Sequence, residues 1–396
     1  MNTEKKLIPL LRFSAFIGDG EWENVKLGDC LLQTPDYGLN APAVPYSESL
    51  PTYLRITDIT DSGKFDKSHL VSVNAELSSE NSLQEGDLVV ARTGASVGKV
   101  YKYRKEDGPL VFAGFLIRLR PNPNRCNSEY LFQYMLSPSY KRWVNITSTR
   151  SGQPGINSTE YASLSVPFPQ KLPEQQKIAD CLSSIDSYIS SVNEKIEQLK
   201  AHKKSLMQKL FPQNGQTVPE YRFPIFQQNG EWWRKKMKEI ITVNSGRDYK
   251  HLEAGEIPVY GTGGYMLSVN DKLSDIDAVG IGRKGTIDKP QYLKAPFWTV
   301  DTLFFLTSIE GYDIEFVYYL AQNIPWKKYG EQTGVPSLSK LSIENLEVLV
   351  PANKAEQKRI STMLSSLDYE LFLLEKKLLL LETHKNGLVQ QLFPPK

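Results

Sequence analysis

The sequence predicts two mixed α/β (α+β) globular bodies joined by a long antiparallel two-helix coiled coil, with a pseudo-twofold internal repeat. Three observations predict it: a heptad-spaced apolar seam that occurs twice, an opening segment that occurs twice, and strand-like runs between them whose lengths differ. At 396 residues the chain is long enough for two bodies that each bury a core, plus connecting helices. The repeat divides it into a first body over 1–168, a helical segment over 169–213, a second body over 214–350 and a second helical segment over 351–396.

The first body opens with Pro9, Arg12-Phe13, Phe16 and Gly20-Glu21-Trp22. The β-branched run Asp87–Ala91 reads as a strand entering a glycine turn, and Val111–Leu119 as another strand. A short helix is expected over Ser128–Leu136, and Leu164–Pro167 as the last strand before the long helix.

That helix is the strongest signal. From Pro173 to Pro212, apolar residues fall at Ile178, Leu182, Ile185, Ile189, Val192, Ile196, Leu199, Leu206 and Leu210, with Lys203 in the remaining slot. The alternating steps of four and three mark the narrow seam of a coiled coil.

The second body repeats the opening at an offset of 210, as Pro219, Arg222-Phe223, Phe226 and Gly230-Glu231-Trp232. Strands are expected over Ala278–Ile281 and Thr302–Leu306, a short helix over Ile314–Ala321 and a last strand over Leu346–Val350. The offset is 191 between Arg92-Thr93-Gly94 and Arg283-Lys284-Gly285, and 182 at the helices, so the middle has diverged in length.

The second helix, Ala355 to Pro394, places Ile360, Leu364, Leu367, Leu371, Leu374, Leu378, Leu381, Leu388 and Leu392 on the seam, with Lys385 matching Lys203. Glu174-Gln175 returns as Glu356-Gln357 and Asp186 as Asp368. A charged residue at a seam position costs stability and specifies register, so its recurrence points to two helices that pair with each other. Some 37 residues make a rod of roughly 55 Å. The second helix leaves a body at the far end of the first, so it must run back along it.

Net charge is +2 with 23% charged residues, which does not announce a nucleic-acid partner, so any basic surface is local. Cys30, Cys126 and Cys181 lie far apart without metal-ligand spacing, and a reduced, cytoplasmic protein is the expectation. The segment Met1–Leu11 does not read as a signal peptide, and no run is long enough for a membrane span.

Chemistry-bearing motifs fail one by one. Gly94–Lys99 has one residue too few between its glycines for a phosphate loop, and Val100 stands where a magnesium-binding hydroxyl belongs. Gly261–Gly264 lacks the frame of a dinucleotide site and reads as a tight turn. His69, His202, His251 and His384 form no ligand pair, so no metal site is expected. Neither a methyltransferase motif nor a nuclease cluster stands out, and no catalytic residue is assigned.

Binding surface remains. Arg92 and Arg283 each follow a strand and precede a glycine turn, where an arginine can reach guanine or phosphate or, in the blander reading, pair at a strand end. Thr93, Lys99, Arg104, Arg150, Arg247, Tyr260, Lys284 and Lys289 complete the DNA-binding candidates, interleaved with Tyr101, Tyr103, Tyr249 and Tyr292.

Two unlike bodies, each opened by Arg-Phe-x-x-Phe and Gly-x-Trp and each closed by a proline, Glu-Gln and a heptad helix, resemble the specificity subunits of type I restriction-modification systems. The carrying residues are Arg222-Phe223-Pro224-x-Phe226 with Gly230-Glu231-Trp232, then Pro169 with Glu174-Gln175 and Ile178, and Pro351 with Glu356-Gln357 and Ile360. In the first copy Ser14 and Ala15 replace the Pro-x step. The resemblance covers essentially the whole chain. It implies two target-recognition domains, each reading half of a bipartite, asymmetric site in double-stranded DNA. The helix pair would set the spacing and dock two methyltransferase subunits, which bring S-adenosylmethionine and methylate adenine N6. Motor-nuclease subunits would complete the endonuclease complex, and this chain would carry no catalysis of its own. A second reading stays open, a non-catalytic adaptor whose two bodies bind proteins. Salt separates the two, because phosphate contacts weaken steeply with salt and apolar contacts do not.

Overall fold

The computed structural model describes residues 7–76, 79–149, 152–213, 215–330 and 336–394. The chain divides into two compact units, Met1–Val192 with Lys377–Lys396, and Asn193–Lys376. The long helices run Leu172–Leu210 and Lys354–Leu392, 39 residues each, so each unit holds one half of each helix. Among the described residues no helix is long and apolar enough to cross a membrane.

The first unit is built on a four-stranded antiparallel sheet in the order Asp36–Tyr37, Leu116–Leu119, Leu88–Ala91, Val100–Lys102. A second sheet runs Ala43–Pro45, Val71–Val73, Thr52–Leu54, Leu110–Phe112, its last pair parallel. Glu23–Lys26 pairs with Ser165–Phe168, joining the start of the body to the strand before the long helix. The second unit repeats this plan. Its four-stranded sheet runs Ile241–Ser245, Leu303–Ser308, Ala278–Gly282, Gln291–Leu293, and Trp233–Lys236 pairs with Glu347–Val350. The second sheet differs, with Gly264–Val269, Ala254–Gly261 and Trp298–Thr299. The glycines at 261–264 form the hairpin turn of that sheet.

One expected strand is two. Val111–Leu119 breaks into Leu110–Phe112 and Leu116–Leu119, which belong to different sheets. The chain turns at Ala113-Gly114, where the Gly114 amide donates to the Leu39 carbonyl at 2.7 Å. The short helices form over Ser128–Met135 and Ile314–Asn323, capped by Asn127 and Asp313, whose side chains accept from the Tyr130 and Phe316 amides. A helix over Pro138–Thr147 was not foreseen, although Ser137 as cap and Pro138 in the first turn are its proper signals.

The repeated motifs have one physical role. Glu174, 1% exposed, accepts from Arg12 Nε and Nη2 at 2.7 and 2.8 Å and from Trp22 Nε1 at 3.3 Å. Glu356, also 1% exposed, accepts from Arg222 Nε and Nη2 at 2.8 Å each and from Trp232 Nε1 at 3.2 Å. Both arginines also donate to the carbonyl of the motif glycine, Gly20 or Gly230, whose φ values of +79° and +71° place them in the left-handed region. The carboxylate sits in the first turn of its helix, where the dipole favours negative charge. The neighbouring glutamine ties the short helix down: Gln175 Oε1 accepts from the Asn127 amide, and Gln357 Oε1 from the Asp313 amide, at 2.9 Å in both units.

Within each unit the helix halves run antiparallel. In the first, Ile178 and Leu182 share a core with Val389, Leu392 and Phe393, while Asp186 pairs with Lys385 at 2.6 Å. In the second, Ile360 and Leu364 share a core with Leu210 and Phe211, while Asp368 pairs with Lys203 at 2.5 Å. Ile196 is buried, whereas Ile185, Ile189, Leu367, Leu371 and Leu378 are half-buried. The seam lysines are thus neutralised by the repeated aspartates, with partners exchanged between copies. Each aspartate also accepts from its unit's short helix, Asp186 from Gln133 at 2.8 Å and Asp368 from the Tyr319 hydroxyl at 2.7 Å. The second long helix exposes another apolar stripe, including Phe372, Leu373, Leu379 and Leu380; the first carries Ser190, Ser191, Glu197 and Gln198 at those positions.

Candidate nucleic-acid interface

The two arginine loops occupy matching places. The Arg92 amide donates to the Phe115 carbonyl at 3.0 Å, and its carbonyl accepts from the Ile156 amide at 2.8 Å. The Arg283 amide donates to Thr302 at 2.8 Å, and its carbonyl accepts from Leu338 at 2.9 Å. Gly94 and Gly285, at φ +72° and +80°, turn each loop and donate to the Pro154 and Pro336 carbonyls. Backbone bridges join Thr93 to Gly155 and Lys284 to Ser337.

Each loop leans on a four-residue turn, Ala113–Leu116 or Val300–Leu303, closed by the Leu116 amide on the Ala113 carbonyl and the Leu303 amide on that of Val300. A second segment crosses that turn so closely that only glycine fits. A Cβ on Gly38 would lie 2.2 Å from the Phe112 carbonyl oxygen, and one on Gly246 would lie 2.0 Å from that of Val300. In the second unit this gathers three candidates, since the Arg247 amide donates to Thr299, the Tyr260 carbonyl accepts from Val300 and the Arg283 amide donates to Thr302. In the first unit the corresponding backbone bonds come from Leu39, Leu54 and Arg92. The frame is shared and the side chains are not: where the first unit has Tyr37, Leu39 and Phe115, the second has Ser245, Arg247 and Thr302.

The Arg92 guanidinium lies 4.7 Å from the Tyr37 ring centre and lines a cleft of about 640 Å³ with Tyr37, Tyr53, Arg55 and Phe115. Arg283 is exposed, its guanidinium 5.9 Å from the Phe304 ring centre. Lys284, Lys289 and Arg247 are exposed, Thr93 and Tyr260 half-buried. Lys99 is drawn to another place, pairing with Asp61 at 2.8 Å beside the helix over Pro138–Thr147. Arg104 packs over Phe132, 3.9 Å from Glu129, on the side of the first short helix. Arg150 lies outside the described residues. Of the interleaved aromatics, Tyr101 and Tyr103 are core side chains rather than surface, because they lie on one strand and its exit and turn inward to Asp107 and the Gly108 carbonyl. Burial, then the bond to Asp107, pushes the Tyr101 hydroxyl well above the usual tyrosine range. Among the described residues no group of three or more His, Cys, Asp or Glu is placed to hold a metal.

The family described as the type I restriction modification DNA specificity domain matches residues 20–201 and, a second time, 229–383. The chain belongs to this family. Both copies of the specificity domain include an arginine loop, its turn and most of a long helix. The type I restriction enzyme MjaVIII specificity subunit of Methanocaldococcus jannaschii is 25% identical over 268 residues, covering 66% of this chain and 56% of that relative. The chain thus spans little more than half the length of that relative. The crystal structure of a type I restriction-modification S subunit from M. genitalium superposes with a TM-score of 0.72 at 18% identity, over 98% of this chain and 100% of that one, and shows the same fold.

Sequence reasoning found the arginine loops but missed what surrounds them. The closing segments were legible, because Gly152-Gln153-Pro154 recurs as Gly334-Val335-Pro336 at the helices' offset of 182. Gly38 and Gly246 carry no local signal, since a crossing of chains distant in sequence is what requires them. Tyr37 and Phe115 likewise gain meaning only from their neighbours.

Proposed function

We propose that this chain is the DNA-sequence-specificity subunit of a type I restriction-modification complex. Residues 1–168 and 214–350 act as two target-recognition domains, each reading half of a bipartite, asymmetric site. The segments 169–213 and 351–396 form the spacer that sets the gap between half-sites and docks two methyltransferase subunits. Those subunits bring S-adenosylmethionine and methylate adenine N6, and motor-nuclease subunits join them to cleave unmodified DNA in the cytoplasm.

One observation carries this reading: a single backbone frame is used twice with different side chains, Tyr37, Leu39 and Phe115 against Ser245, Arg247 and Thr302. A repeated frame with exchanged contacts is what two half-sites of unlike sequence require, since base edges are read by side chains while phosphate contacts only position. Exposed apolar residues on the second long helix, Phe372 and Leu373 in the second unit and Leu379 and Leu380 in the first, support a docking role for the helices, because exposed apolar patches mark interaction sites. Sequencing methylated adenines in cells with and without this chain tests the function. One asymmetric, two-part motif should vanish with the chain, and an unchanged pattern of methylation would refute it.

A further inference from the structure

We infer that Arg92 reads a guanine in the half-site of the first recognition domain, with Phe115 against the thymine of an adjacent base pair. The inference rests on the DNA-reading function proposed above and assigns one position of it to named side chains.

Arg92 differs from four other arginines of its unit that are buried or half-buried. Arg12 is paired with Glu174, Arg55 with Asp58, Arg118 with Asp36 and Arg120 with Asp87. Among the described residues no carboxylate pairs with Arg92, and its buried Nε has no hydrogen-bond partner. A buried donor left unpaired is destabilising unless something else satisfies it. The Tyr37 face at 4.7 Å steadies the cation, yet supplies no acceptor. The guanidinium is therefore held over the Tyr37 ring at the cleft, with no carboxylate among the described residues to take it.

Geometry selects the acceptor. Phosphates are the outermost groups of a duplex and suit exposed lysines, as Lys284 and Lys289 are. A clamped fork instead matches two acceptors in one plane, which guanine O6 and N7 present in the major groove. Phe115 adds the second contact. Ala91 lies opposite Leu116 in the sheet, and continuing that register sets Arg92 opposite Phe115, the arrangement in which side chains share a face. The Phe115 ring is 61% exposed at the rim of the cleft. Apolar contact of this kind suits a thymine methyl, not a phosphate.

The test uses the chain assembled with its methyltransferase subunits and selection from a duplex pool randomised over both half-sites. The wild-type complex should fix a guanine with a neighbouring thymine in one half-site. Arg92→Gln should lower the preference for that guanine by roughly 10–100-fold, leaving the other half-site and the salt dependence of binding unchanged. Arg92→Lys keeps the charge but loses the planar fork and the guanidinium face on Tyr37, and since an ammonium can still donate to guanine O6 and N7 it should weaken the same preference less than Arg92→Gln does. Phe115→Ala should relax only the neighbouring position. If Arg92→Gln leaves the selected guanine intact, or weakens all sequences equally and reduces the salt slope by about one, Arg92 does not read that base and the inference fails. A wild-type complex that selects no motif would instead refute the DNA-reading function itself.

Discussion

Replacing Glu174 with alanine should be among the most destabilising single changes in the first unit. The side chain is 1% exposed and accepts from Arg12 Nε, Arg12 Nη2 and Trp22 Nε1, so its loss strands a guanidinium that is itself 8% exposed, together with an indole N–H. Removing one partner of a buried ion pair costs about 3–5 kcal/mol, and an orphaned donor adds about 1 kcal/mol more. Urea unfolding followed by tryptophan fluorescence should show the midpoint falling by about 1–3 M at constant slope. Two companion variants separate charge from shape. Glu174→Gln keeps an acceptor for the indole but leaves the cation uncompensated, so it should lie between alanine and wild type. Arg12→Met combined with Glu174→Leu removes both charges and should recover to within about 2 kcal/mol of wild type. A loss below about 1 kcal/mol for Glu174→Ala would mean that the pair behaves as an exposed one, and the clasp would lose its role.

Further outcomes follow from other contacts. Asp368→Asn removes the countercharge of Lys203 and should destabilise the second unit by about 1–2 kcal/mol, whereas the exchange Lys203→Asp with Asp368→Lys should restore most of it; thermal unfolding of the three proteins checks this. Gly246→Ala places a Cβ 2.0 Å from the Val300 carbonyl oxygen and should disrupt the crossing of chains at that turn, while Gly285→Ala, strained in φ but open in space, should cost only about 1 kcal/mol by calorimetry. Burial, then Asp29, raises the Cys30 thiol to about 11, so at pH 8 it stays protonated and its reactive thiolate grows only as pH approaches that value. Iodoacetamide at pH 8 should therefore label the part-exposed Cys181 first, as read by mass spectrometry, and preferential labelling of Cys30 would contradict its burial.

The helices and the duplication were legible because a seam and its charged interruptions are periodic, and periodicity survives in one dimension. Lys203 and Lys385 announced a register, but their partners Asp186 and Asp368 were visible only as repeated letters until the antiparallel pairing set them opposite. The same holds for Arg12, Trp22 and Glu174: the motif was plain, whereas its meaning depended on a contact across 162 residues. Strands were placed well where β-branched runs were unbroken, as at Leu88–Ala91, and poorly where a tertiary crossing bends the chain, as at Ala113-Gly114. Of the basic candidates, sequence could not tell Lys99, held by Asp61, from Arg92, which no carboxylate holds among the described residues. Pairing partners decide that difference, and pattern does not reveal them.

This separation of labels has a physical consequence for how specificity can change. The groups that fix the frame are the same in both copies and buried or half-buried: an arginine, a tryptophan and a glutamate at the clasp, and a glycine on the crossing segment. Changing them costs several kcal/mol. The groups around the four-residue turn differ between copies and lie at or near the surface, where substitutions usually shift stability by no more than about 0.5 kcal/mol. Tyr37 against Ser245 and Phe115 against Thr302 are such exchanges within one molecule, and both units fold around the same sheet order. Under the proposed function, a new half-site can therefore be reached through the turn and the arginine loop without disturbing the clasp or the helix register.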